Sequence, residues 1–99
     1  PDNMKNLIHQ LNKNFENRIR LGIMSILVVN DWVDFNYLKE TLNVTDGNLA
    51  SHLNSLEKHE YITVKKSFVG RKPNTSYAAT AQGKKAFTEH LDALVQLGQ

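Results

Sequence analysis

Two short amphipathic stripes stand almost end to end between Asp34 and His59. Asp34 is a good helix N-cap, because its side-chain oxygen can accept a backbone N–H of the first turn. Phe35, Leu38 and Leu42 then mark one face of a short helix. Asn43 follows, a residue that readily takes the left-handed conformation ending a helix. Val44 precedes a second N-cap, Thr45, after which Leu49, Leu53 and Leu56 recur at i, i+4, i+7. Val44 and Leu49 are placed to pack as a hydrophobic staple, which sets the angle of chain entry. Asn48 holds the place where a full capping box has Glu or Gln. A joint of about three residues makes two such helices cross steeply, so residues 34–59 are expected to form a helix-turn-helix.

The flanks follow other periods. Leu7, Ile8, Leu11 and Phe15 predict a helix from about Asn3 to Phe15. From about Asn17 to Val29 the chain is apolar at Ile19, Leu21, Ile23, Met24, Ile26, Leu27 and Val28, as in a central buried helix. Asn30-Asp31 signals a turn, and Trp32-Val33 is too short for more than one rung of a sheet. From Tyr61 the period becomes two, with Ile62 and Val64 inward and Thr63 and Lys65 outward. Val69 to Asn74 is rich in turn formers, and Thr75 to Ala79 can return as a second strand, giving a wing over 61–79. Thr80 caps a last helix over 81–97, whose stripe is Phe87, Leu91, Leu94 and Val95. A lone hairpin is marginal in water and must pack on helices. The expected fold is mainly α with a small β-hairpin. It is a winged helix-turn-helix with N- and C-terminal helices, one domain over residues 1–99.

Composition removes several other classes. The chain has 99 residues, 40% of them hydrophobic, and no Cys. One modest core is therefore expected, without a disulfide scaffold, zinc finger or thiol nucleophile. The near-apolar run Ile19 to Val29 falls short of the roughly 20 residues that span a bilayer. Without a basic start leading into an apolar stretch, a cytoplasmic protein with no membrane partner is expected. Glu89, His90 and Asp92 form no zinc set within one chain and read as a polar helix face, so no metal or cofactor is expected. Ser51 and His52 are adjacent on one helix and do not face each other, and no phosphate-binding glycine loop is present, so no enzyme is expected.

Charge points to a partner instead. The net charge is +2, but residues 58–85 hold seven cations and one carboxylate, and the remainder is net acidic. Such a segment is an electrostatic footprint for a polyanion, although alone it is equally a solvated face. With Leu49, Leu53 and Leu56 inward, the second helix of the pair turns Asn48, Ser51, His52 and Ser55 outward. These are short donors and acceptors able to reach base edges or phosphates, and Thr45 and the free N–H groups at the helix start suit a phosphate. Gly47 costs helix stability, and serves either close backbone approach or tight packing against the preceding helix. Asp46 would repel a phosphate unless it contacts a base amino group or points away. Lys65, Lys66, Arg71 and Lys72 add cations on the hairpin, for phosphates or a minor groove.

The stretches Arg20-Leu21-Gly22-Ile23, Leu49-Ala50-Ser51-His52-Leu53, Leu56-Glu57, Tyr61-Ile62, Val69-Gly70-Arg71-Lys72-Pro73 and Thr80-Ala81-Gln82-Gly83 resemble the small winged-helix transcriptional regulators related to the MarR and ArsR repressors. The phrase Thr45-Asp46-Gly47-Asn48-Leu49 is similar to that of their short single-domain subgroup. The resemblance covers roughly residues 17–95; its motifs are loose singly and specific in order and spacing. It implies a dimer, a recognition helix at about 46–59 and a DNA-binding wing at about 68–75. The chain is shorter than full-length MarR proteins and lacks the Cys of metal-sensing ArsR proteins.

Together these readings predict a sequence-specific regulator of double-stranded DNA. Its DNA-binding residues are expected to be Thr45, Asn48, Ser51, His52, Ser55, Lys65, Arg71 and Lys72. The two terminal stripes either close the domain's own core or pack on a second copy. A homodimer is favoured, with Leu7, Leu11, Phe87, Leu91 and Leu94 at its interface. Nothing in the sequence specifies a small-molecule effector; the place for one is between the terminal helices. The alternative is a winged-helix protein-interaction module, against which the polar helix face and basic wing both tell.

Overall fold

The computed structural model describes residues 2–99. In chain order these form α1 (Asp2–Gln10), a 3-10 turn (Lys13–Phe15), α2 (Arg18–Leu27), β1 (Val33–Asp34), α3 (Phe35–Leu42), α4 (Asp46–Lys58), β2 (Ile62–Val69), β3 (Lys72–Ala79) and α5 (Ala81–Leu97). Side-chain caps start most of the helices. The Asn17 oxygen accepts the N–H groups of Ile19 and Arg20 at 2.8 and 3.1 Å and opens α2. Asp34 accepts the Tyr37 N–H at 2.8 Å and opens α3. Asn43 ends α3 in the left-handed region, at φ 54° and ψ 57°. Thr45 then accepts the Asn48 N–H at 3.2 Å and opens α4. Thr80 opens α5 by accepting the Gly83 N–H at 2.9 Å, while its own hydroxyl donates to the Glu60 carbonyl at 2.6 Å.

The sheet is antiparallel in the order β1-β3-β2. β2 and β3 pair from Ile62↔Ala79 at the body to Val69↔Lys72 at the tip. The single rung expected at Trp32-Val33 lies one residue later, where Val33 and Asp34 form a two-residue strand against Tyr77 and Ser76. Asp34 thus ends a strand and caps a helix at once, which ties α3 to the sheet.

The core joins both halves of the chain. Phe15, Ile23, Met24, Leu27, Leu38, Leu49, Leu53 and Leu56 are fully buried, with Val33, Ile62 and Phe87 beside them. Val44 is half-buried against the same cluster.

Expectations fail at both ends of the chain. The first helix does not reach Phe15; α1 stops at Gln10. Asn12 breaks it, its side chain accepting the Asn14 N–H at 2.9 Å and donating to the Tyr61 hydroxyl at 2.9 Å. That local bond competes with helix continuation and turns Phe15 into the core, against Tyr61, Phe87 and His90. On α5 the buried face is Gly83, Phe87, His90 and Ala93, not Phe87 with Leu91, Leu94 and Val95. Phe87 is 4% exposed inside the domain's own core and so is no free interface residue. His90 is likewise not on a polar face: it is 3% exposed, and its Nδ1 accepts the Asn12 N–H at 2.9 Å. One hydrogen bond from a backbone that needed a partner is enough to turn a polar residue inward.

Candidate nucleic-acid interface

Leu49, Leu53 and Leu56 fasten α4 to the core, which fixes the face it presents outward. Asn48 and Ser51 are exposed on that face, with His52 and Ser55 half-buried beside them. All four side chains are short and polar, and a helix so clothed fits a major groove about 12 Å wide.

His52 is not free. Arg20 of α2 donates its Nε–H to His52 Nδ1 at 3.0 Å and its Nη1 to Asn14 Oδ1 at 3.3 Å. The acceptor role of Nδ1 leaves the neutral ring's proton on Nε2. Burial, and then the Arg20 charge, lower the His52 pKa from its ordinary value, so the ring is held neutral with a fixed donor. Sequence reasoning placed His52 on the face but missed Arg20, because 32 residues separate the pair.

At the start of α4, Thr45 and Asn48 border a cavity of about 490 Å³ with Arg18, Ile19, Asn43 and Val44. Arg18 is a second cation the sequence did not assign, brought here by the packing of α2 on α4. Asp46 points away from this cavity: its carboxylate pairs with Lys39 of α3 at 2.8 Å. An exposed pair of this kind adds little stability, but it turns the negative charge toward α3. Gly47 packs against nothing, since a Cβ built there meets no atom within 4 Å. Tight packing on α3 therefore does not explain it.

The wing is a separate element. Gly70 turns the hairpin at φ +65°, and Arg71 and Lys72 are exposed at the tip. Lys65 lies farther down the arm, its ammonium 4.4 Å from the centre of the Trp32 ring in a cation–π contact. Lys66 points to the opposite face of the strand.

Leu7 and Leu11 are half-buried where α1 lies along α5. Gln10 joins the two helices there, donating to the Glu89 carbonyl at 2.8 Å. Met4, Ile8, Leu91, Leu94 and Val95 are exposed. Among the described residues no group of three or more His, Asp and Glu is placed to hold a metal ion. No helix among them is long and apolar enough to cross a membrane.

Comparison with known proteins agrees with this geometry. The family model described as a winged helix DNA-binding domain matches residues 19–97. An uncharacterized protein of Methanocaldococcus jannaschii is 37% identical over 87 residues, 88% of this chain and 95% of that one. The solved structure of a transcriptional regulator homologue from Pyrococcus horikoshii OT3 superposes with a TM-score of 0.84 at 27% identity, covering 98% of this chain and 94% of that one. A structure assigned to the MarR family, from Porphyromonas gingivalis W83, shares the fold at a TM-score of 0.68 and 20% identity, covering 87% and 82%.

Proposed function

The chain belongs to the winged helix DNA-binding domain family, and from that premise we propose that it is a transcriptional regulator that binds double-stranded DNA sequence-specifically as a homodimer. α4 enters the major groove, and the wing of β2 and β3 lies on the backbone or the adjacent minor groove. The observation that carries this reading is the face of α4: a leucine-anchored helix whose outward side chains are Asn48, Ser51, His52 and Ser55. Asn can pair with adenine in a bidentate way, and the Nε2 donor of His52 suits an acceptor such as guanine N7 or a phosphate. Thr45, the first N–H groups of α4 and Arg18 suit a backbone phosphate at the helix start. Arg71 and Lys72 supply phosphate contacts at the wing, and Lys65 reaches DNA by leaving the Trp32 ring.

The exposed apolar residues of α1 and α5 support the homodimer, with Leu91 and Leu94 at its centre and Leu7 and Leu11 bracing α1 behind them. A two-fold pair of α4 helices about 34 Å apart reads a palindrome with half-sites one turn apart. The family and fold are those of DNA-binding regulators rather than enzymes.

Fluorescence anisotropy with a labelled duplex from the gene's own upstream region tests the proposal, at low and high salt and beside a scrambled duplex. Tight binding that prefers the native duplex and weakens steeply with salt is expected. Equal weak binding to both removes sequence specificity. No binding at low salt overturns the reading in favour of a protein-interaction module.

A further inference from the structure

The wing tip carries more apolar surface than its turn requires. Phe68 and Val69 are 72% and 68% exposed, yet the turn itself needs only Gly70 in its first central position. The register sets Phe68 across from Pro73 and Val69 across from Lys72. Alternate residues of a strand face opposite ways. Phe68 and Pro73 therefore continue the face of Ile62 and Val64, while Val69 lies on the other, and the tip is apolar on both sides. Cations surround it: Lys66 on the Phe68 face, Arg71 in the turn and Lys72 opposite Val69. No carboxylate occurs anywhere between Tyr61 and Thr88.

A partner matched to this tip is anionic at its edges and apolar within. Duplex DNA answers to that description, since phosphates line the groove and base faces lie between them. Proteins that bend DNA push Phe, Leu, Ile or Met between base steps from the minor groove. Resting on the function proposed above, we propose that Phe68, backed by Val69, is a wedge. It enters the minor groove beside the α4 contact and parts one base step, kinking the duplex, while Arg71 and Lys72 hold the flanking phosphates. Pyrimidine–purine steps unstack most easily, so the wedge selects sequence without a base-edge hydrogen bond.

The test uses a duplex selected from a randomised library by the full chain, labelled at both ends for energy transfer. The wild-type protein is expected to bend it by about 20–90°. The double variant Phe68→Ala, Val69→Ala is expected to bind about tenfold more weakly and leave the duplex straight. Its salt dependence stays unchanged, because every cation that neutralises a phosphate is still in place. Phe68→Leu still bends the duplex, and thermal melts of these exposed-site variants match wild type. A straight duplex with the wild-type protein, or a bent one with the double variant, overturns the wedge and leaves the proposed function standing. Failure of the wild type to bind or select any duplex overturns the proposed function, and the wedge with it. A straight duplex together with Phe68-dependent binding to phosphatidylglycerol vesicles assigns the tip to a lipid surface instead.

Discussion

A Cβ at Gly47 has room on every side, so its absence helps no packing, and glycine in a helix costs up to about 1 kcal/mol against alanine. What Gly47 gives in return is an approachable backbone in the first turn of α4, beside Thr45 and Asn48. Gly47→Ala is expected to raise the melting temperature by about 4–8 °C per kcal/mol gained and to weaken duplex binding. A variant that is more stable and binds equally well would remove the close approach. His90 supports a second prediction. Burial lowers its pKa, against a smaller opposing pull from Glu16, so the folded state holds it neutral while the unfolded chain titrates near 6.5. Its contribution to stability is full above pH 6.5 and is lost as pH falls toward the lower folded-state value. His52, lowered by burial and Arg20, adds to the same loss. Melting temperature should therefore fall on acidification below pH 6.5. His90→Asn, which keeps an acceptor for the Asn12 N–H, should flatten the fall. Both histidines stood in the sequence as polar surface residues. Their partners, Arg20 and Asn12, lie 32 and 78 positions away, beyond the reach of any local pattern.

At the scale of elements, α5 is seated by contact with backbone. A Cβ at Gly83 would collide with the Tyr61 carbonyl oxygen. Main chain cannot step aside as a flexible side chain can, so Gly83→Ala should cost about 1–3 kcal/mol or more, read as a lowered denaturant midpoint. A neutral result would mean that α5 can slide. The wing is expected to behave oppositely, as a device for binding that contributes little to stability. Arg71→Ala and Lys72→Ala should each leave the melt unchanged and reduce the salt slope of DNA binding by about 0.9 for each phosphate no longer neutralised. An unchanged slope in both would separate the basic tip from DNA. The helix-turn-helix was legible because Asp34, Asn43 and Thr45 act within four residues of themselves. The inward face of α5 was not. Its leucines outrank His90 in hydrophobicity, but the helix turns its Gly83, Phe87, His90 and Ala93 column toward Tyr61 and Phe15.

At the scale of the whole molecule, apolar residues of α1 and α5 stand outside the core. Leu91 and Leu94 are 40% and 45% exposed, in company with Met4, Ile8 and Val95. Leu94→Glu should convert the proposed dimer to a monomer in sedimentation equilibrium and weaken binding to a palindromic site far more than to a half-site. A variant that stays dimeric would place the interface elsewhere. By itself the sequence determined where the helix-turn-helix begins and ends, which leucines anchor its second helix, and where charge collects. Capping, period and composition act over a few residues, and they suffice for those features. Tertiary structure alone decided that Tyr61 and His90 hold Asn12, that Val33 and Asp34 pair with Tyr77 and Ser76, that Arg20 holds His52, and that Phe87 serves the core. Each depends on groups far apart in the chain meeting in one place, where burial and an unpaired backbone donor outweigh local preference.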